Sequence, residues 1–206
     1  MKRIIPLLIS IIVTVALNAQ TTKFFQFEQI HFSNISNCEN GLNSEEQCVS
    51  YKVSVASDYF PNASSFNLAQ PNIFDRPKQG SFIPCRVNYY YTEEDSIVRL
   101  ISYTRDTKNS TTNFKDLMEP IHNQSEKLDK YNSEFDQLVN DLRKELGEPV
   151  EGTGEMNIKR EPGYSDWYER KYVWKKEETT VELFMLWSEN GGNLSTYKIR
   201  TKVYWN

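Results

Sequence analysis

Histidine is almost missing from this chain: there are two in 206 residues, His31 and His122. Neither has a second metal-type ligand close by, apart from the common acid Glu126 near His122. A zinc site wants three or four ligands, usually His or Cys, so no metal centre is expected. The local signatures of catalysis are missing too. No G-x-S-x-G marks a nucleophilic serine. Gly152-Thr153-Gly154 runs into Glu155 and Met156 without a helix-opening glycine, so it is no phosphate loop. No D-x-D-x-D-G stretch offers calcium its patterned oxygens. A basic stripe is also lacking. Lys and Arg total 24 against 28 Asp and Glu, the formal net charge is −4, and the signs are interspersed. That excludes nucleic acid as a partner and reads as a solvated surface. No apolar run beyond the first twenty residues is long enough to span a bilayer. No cofactor is expected.

Cysteine is sparse, and its placement informs. Cys38 and Cys48 flank a polar stretch, Glu39 to Gln47, which reads as a loop closed by a disulfide. In the chain-entropy model such a ring stabilises by roughly 2–3 kcal/mol. Cys85 is left over; it reads as a buried free thiol on a strand, with pairing to another cysteine or to a partner as the alternative. As a nucleophile it would need a base and an orienting group, which Pro84 and Arg86 beside it do not supply.

What the chain does have begins at Met1. Lys2 and Arg3 precede an apolar run from Ile4 to Leu17, followed by Asn18 and Ala19. A positive head, a short apolar stretch and a small-residue exit make a secretory signal peptide over residues 1–19, with Gln20 as the new N-terminus. No cysteine follows the run directly, the first being Cys38, so lipid anchoring is not expected and no membrane span remains after cleavage. The chain is expected in the periplasm or outside the cell, and the leader reads as bacterial. The N-x-S/T triplets at Asn34, Asn62, Asn109, Asn123 and Asn193 would therefore carry no sugar.

Patterning places the elements. The aromatic segment 21–36 reads as a strand, and Val49, Tyr51, Val53 and Val55 alternate with polar neighbours as a second. Residues 57–84 hold Pro61, Pro71, Pro77 and Pro84 and read as a long loop with a short helical turn near Ser64–Leu68. Val87, Tyr89 and Tyr91, then Ile97, Arg99, Ile101 and Tyr103, alternate around the turn Glu93–Ser96 as an antiparallel hairpin. A polar loop, 105–113, follows. Leu128, Tyr131, Phe135, Leu138, Leu142 and Leu146 recur every three or four residues, the stripe of an amphipathic helix that starts between Asn113 and Ser125 and stops at Gly147. After a loop at 147–165, three strands are expected at 166–175, 179–187 and 194–205, with Lys198, Arg200 and Lys202 facing water.

Strands joined mainly by tight turns are antiparallel. The fold expected is α+β: a curved antiparallel sheet, built from the hairpin and a C-terminal three-strand meander, with one long amphipathic helix packed across it. Residues 20–84 form an N-terminal part and 85–206 the core of what reads as one domain.

Function is less legible. The acids Glu45-Glu46, Glu93-Glu94-Asp95 and Glu177-Glu178 fall in turns or in the cystine loop, where charges are solvated. Aromatics are the better lead, because Tyr and Trp give large, rigid, half-polar contact area. Tyr89-Tyr90-Tyr91 puts rings on both faces of one strand, and Trp167, Tyr168, Tyr172 and Trp174 do so in another. One face is core; Tyr90 with either Trp174 or Trp167 is expected outside, and Tyr90, Trp174 and the proline-rich loop 57–84 are the candidate binding elements. The reading is an exported, non-enzymatic, envelope-associated binding protein, with a protein or a glycan as ligand. The alternatives are a hydrolase of envelope polymers or a structural component of an envelope complex.

Overall fold

The computed structural model describes residues 24–49, 54–77, 84–106, 124–152, 154, 156–159, 167–189 and 195–205. The expected leader, the heart of the strand expected at 49–56 and His122 lie outside the described residues; the described part of that strand, residues 54–56, is not extended ladder.

Among the described residues, nine strands form one antiparallel sheet: β1 (Glu45–Gln47), β2 (Asn72–Arg76), β3 (Cys85–Tyr91), β4 (Val98–Asp106), β5 (Glu151–Gly152), β6 (Asn157–Lys159), β7 (Trp167–Lys176), β8 (Thr179–Glu189) and β9 (Ser195–Trp205). Their spatial order is β1-β2-β3-β4-β9-β8-β7-β5, with β6 also on β7. The hairpin β3–β4 and the meander β7–β8–β9 are thus fused, by pairing of β4 with β9, into one surface. Helix α1 (Ile35–Asn40) is short, and α2 (Gln124–Leu146) is long.

Pairing decides the faces, because residues directly opposite across an antiparallel ladder point the same way. On one side, the front, Val87 faces Tyr103, Tyr103 faces Thr201, Thr201 faces Leu183 and Leu183 faces Tyr172. The front alternates along each strand: Val181, Leu183, Met185 and Trp187 on β8 and Tyr197, Ile199, Thr201, Val203 and Trp205 on β9 are all buried. Helix α2 supplies the facing layer through Tyr131, Phe135, Leu138, Val139 and Leu142. Tyr131 stacks on Tyr197 at 4.6 Å, and the Arg170 guanidinium lies 4.5 Å over the Phe135 ring. Each such side chain contributes about 1.5–3 kcal/mol on burial. At the helix C-terminus Gly147 takes φ 86, the left-handed conformation that stops a helix without a Cβ clash.

The N-terminal segment departs from expectation. Its aromatics do reach the core, but from irregular backbone and helical turns rather than from a strand. Its backbone bonds are made singly to the sheet. Gln26 N donates to the Tyr103 hydroxyl at 2.9 Å, Val98 N to the Ile30 carbonyl at 2.9 Å, and the Trp205 indole to the Phe27 carbonyl at 3.2 Å. Aromatic richness therefore marked a buried segment without marking its backbone.

The expected ring between Cys38 and Cys48 is not formed: Cys38, Cys48 and Cys85 are free thiols. The stretch between the first two is held by other means. Leu42 is buried, Glu39 is buried and accepts from Ser44 Oγ, and β1 is laddered onto β2. Two further corrections concern the loops. The proline-rich region contains β2, five residues bracketed by Pro71 and Pro77, a placement that proline permits at strand ends. The loop after Gly147 contains β5 and β6.

A buried charge pair anchors the N-terminal segment to the front. Arg76 on β2 donates Nη2 to Glu39 Oε1 at 2.6 Å and Nε to Oε2 at 3.0 Å, with the two side chains 2% and 3% exposed. Its Nη1 reaches the Phe24 carbonyl at 2.5 Å, and Tyr89 Oη donates to Glu39 at 2.5 Å. Arg105 pairs with Glu134 of α2 at 2.8 Å.

Candidate binding face on the back of the sheet

Both candidate binding rings are inside. Trp174 is 2% exposed in the front core, and its indole N–H donates to the Gly147 carbonyl at 2.9 Å, tying the end of α2 to β7. Tyr90 is 5% exposed on the back, and burial pushes its phenol up to about 12. It is covered by the segment 54–69, a strap across β3, β4 and β9. Phe60, fully buried, is the strap's anchor, and it packs in one cluster with Tyr90, Leu100 and Tyr204. A short helical turn, Ala63–Ser65, overlaps the one expected at Ser64–Leu68 at Ser64 and Ser65; Phe66 is already extended and Leu68 bridges to Thr92.

The strap is fixed by polar bonds as well. Tyr59 Oη donates to Ser102 Oγ at 2.5 Å, and Lys202 Nζ donates to the Tyr59 carbonyl at 2.7 Å. This explains why Lys202, expected in water, is buried. Glu182 on β8 takes Lys202 and Lys171, each at 3.2 Å, and the Tyr204 hydroxyl at 2.7 Å. Burial pushes the Glu182 carboxyl up, but these donors outweigh it and hold it below the usual range.

Next to the strap the back of β7–β9 has a different character. One transverse row runs Asp75, Arg86, Thr104, Arg200, Phe184 and Lys171 across the strands. The next runs Asp106, Lys198, Leu186 and Glu169. Phe184 and Leu186 are half-buried, two apolar side chains side by side on a face otherwise lined with charge. Arg200 is half-buried beside them, its guanidinium 4.6 Å over the Tyr59 ring.

The groups considered for chemistry are engaged elsewhere. Cys85 is buried, and burial pushes its thiol up, away from the reactive thiolate. His31 is exposed; its Nδ1 accepts from Ser33 N at 3.2 Å and caps a helical turn. The acids of the turns, Glu93, Glu94, Glu177 and Glu178, are exposed. Among the described residues no three His, Cys, Asp or Glu side chains stand together as a metal would need. An open groove of about 610 Å³ runs along the outer side of α2 between Asp129, Asn132, Asp136 and Asn140, lined by polar side chains of that helix. No described helix is long and apolar enough to cross a membrane.

Sequence reasoning missed the strap's role and the charge network at Arg200. The signal for the first was present in Tyr59, Phe60 and Phe66, apolar rings spaced through a proline-rich loop. No sequence signal marks the second, because it depends on strand order. No protein-family model, curated protein or solved structure matches this chain.

Proposed function

We propose that this chain is an exported, non-enzymatic binding protein of the bacterial cell envelope that presents the back of β7–β9 to a protein partner. The observation that carries the reading is the half-buried pair Phe184 and Leu186, set among charged side chains just beyond the edge of the strap. A buried or partly buried apolar centre with a polar surround is the anatomy of a protein interface. A glycan is favoured less, because the rings expected to form a sugar-stacking strip, Tyr90 and Trp174, are interior. A hydrolase is favoured less, because Cys85 and His31 serve the fold.

The test is site-specific photo-crosslinking in the native host, with benzoylphenylalanine at position 184 and, as a control, at Asn140 on the outer side of α2. A discrete adduct at 184 that is missing at 140 supports the reading. No adduct at 184, or the same ladder at both positions, overturns it. N-terminal sequencing of the mature chain checks the export part, with Gln20 as the expected first residue.

A further inference from the structure

We infer that Arg200 is a carboxylate-binding point on this face, and that the partner seats there an acidic side chain flanked by apolar ones. The inference rests on the proposed protein partner and adds its chemistry.

The argument starts from pairing. Among the described arginines, Arg76, Arg86, Arg99, Arg105, Arg143 and Arg170 each hold a carboxylate. Arg200 holds none among the described residues; its guanidinium lies over the Tyr59 ring and its side chain is half-buried. A hydrogen bond between a guanidinium and a carboxylate is about twice as strong as one between neutral groups. Stacking on Tyr59 holds the planar fork in one orientation, so little freedom is lost when an anion binds.

Charge then selects the anion. Arg86 is met by Asp75 at 2.8 Å, Lys198 by Asp106 at 3.0 Å, and Lys171 and Lys202 by Glu182 at 3.2 Å. Glu169 lies in the second row, and Glu45 stands opposite Asp75 at the end of the first. Among the described residues, Arg200 is the cation of this face that no carboxylate meets. A single carboxylate would complete the pairing. A phosphate dianion would bring more charge than one guanidinium offsets and would meet the neighbouring acids.

Apolar flanks follow from the register. Phe184 is directly opposite Arg200, and Leu186 is directly opposite Lys198. Cross-strand neighbours sit roughly 4.5–5.5 Å apart, so an anion on Arg200 lies within one side chain's reach of both. An acidic residue between two apolar ones matches this surface.

The experiment follows the Arg200 Nε–H signal by NMR in arginine-labelled chain. The probes are N-acetyl-Leu-Glu-Leu-amide, its Gln counterpart and inorganic phosphate. The Glu peptide is expected to move the signal saturably, and the Gln peptide to bind at least about ten-fold more weakly, the loss of one charge-assisted pair. R200Q is expected to abolish the response of neighbouring Phe184 and Leu186 signals, and R200K to keep part of it. An unmoved signal, an equal response to the Gln peptide, or tighter binding of phosphate overturns the inference. The wild-type comparison needs no variant, so a misfolded R200Q leaves the result decidable. Adducts at position 184 without a Glu-peptide response defeat the carboxylate assignment alone. A Glu-peptide response without adducts defeats the partner reading alone.

Discussion

Replacing Glu39 by Ala removes one half of a buried ion pair and leaves the other half in place. Arg76 keeps the Phe24 carbonyl at 2.5 Å, and its guanidinium still lies 5.0 Å over the Phe24 ring and 5.2 Å over that of Tyr103. It loses both oxygens of the bidentate contact, at 2.6 and 3.0 Å, in a site where its side chain is 2% exposed. An uncompensated buried charge of this kind costs about 3–5 kcal/mol. For a chain of this length each kcal/mol moves the melting temperature by about 2–4 °C, so a fall of about 6–20 °C is expected. The double variant Glu39→Leu with Arg76→Met removes both charges and keeps the volume. It should lie within about 1.5 kcal/mol of the parent, or above it. Urea and thermal unfolding followed by circular dichroism measure both.

Acid separates charge from packing in the same pair. Burial pushes the Glu39 carboxyl up, but Arg76, Ser44 and Tyr89 outweigh it, and the group titrates below its usual range. A carboxyl lowered in the folded state lends stability that is fully present above its unfolded value, about 4.3, and is lost as pH falls through the folded value. The parent should therefore weaken on acidification below about pH 5, and Glu39→Ala should show a shallower decline over that interval. Asp95, held low by Thr92, and Glu182, held low by Lys202 against its own burial, leave a residual slope. A single variant within about 1 kcal/mol of the parent, a double variant as weak as the single, or parallel acid profiles would refute the reasoning.

Three further outcomes are expected. Phe60→Ala should cost about 3–5 kcal/mol and expose the strap 54–69 to proteases, because Phe60 is fully buried 5.8 Å from both the Phe66 and Tyr204 rings; unchanged urea midpoint and unchanged cleavage would count against the strap as an anchored element. Gly147→Ala should cost only about 1–2 kcal/mol, since the new Cβ meets nothing within 4 Å and the penalty is that of φ 86 alone. In native protein, iodoacetamide should alkylate exposed Cys48 first, half-buried Cys38 more slowly and Cys85 only on unfolding; mass spectrometry showing Cys38 and Cys48 both protected and two hydrogens lighter would restore the ring.

Much of the architecture was legible because periodicity reports burial of one face. The strands of the meander begin and end within two residues of their expected positions, since Tyr197, Ile199, Thr201 and Val203 alternate with Lys198, Arg200 and Lys202 and polar turns flank the middle strand. The helix stop at Gly147 was legible because only a residue without Cβ takes φ 86 cheaply. Short strands were not legible: β1, β5 and β6 have two or three residues each, too few to establish a period, and their backbones are recruited by neighbours already in the sheet.

Side-chain spacing and turn chemistry, which are local, settle which segments are apolar, where the long elements end and that the strands run antiparallel. Which face each residue occupies when both faces are covered depends on packing between distant segments. Tyr90 and Trp174 look alike in sequence as outward rings, yet the strap buries one and the end of α2 buries the other. The same holds for charge. Arg76, Lys202 and Arg200 are all basic residues on strands. One is buried against Glu39, one against Glu182, and one is left with a ring for a neighbour, because strand order, which no local pattern encodes, chooses what stands opposite each.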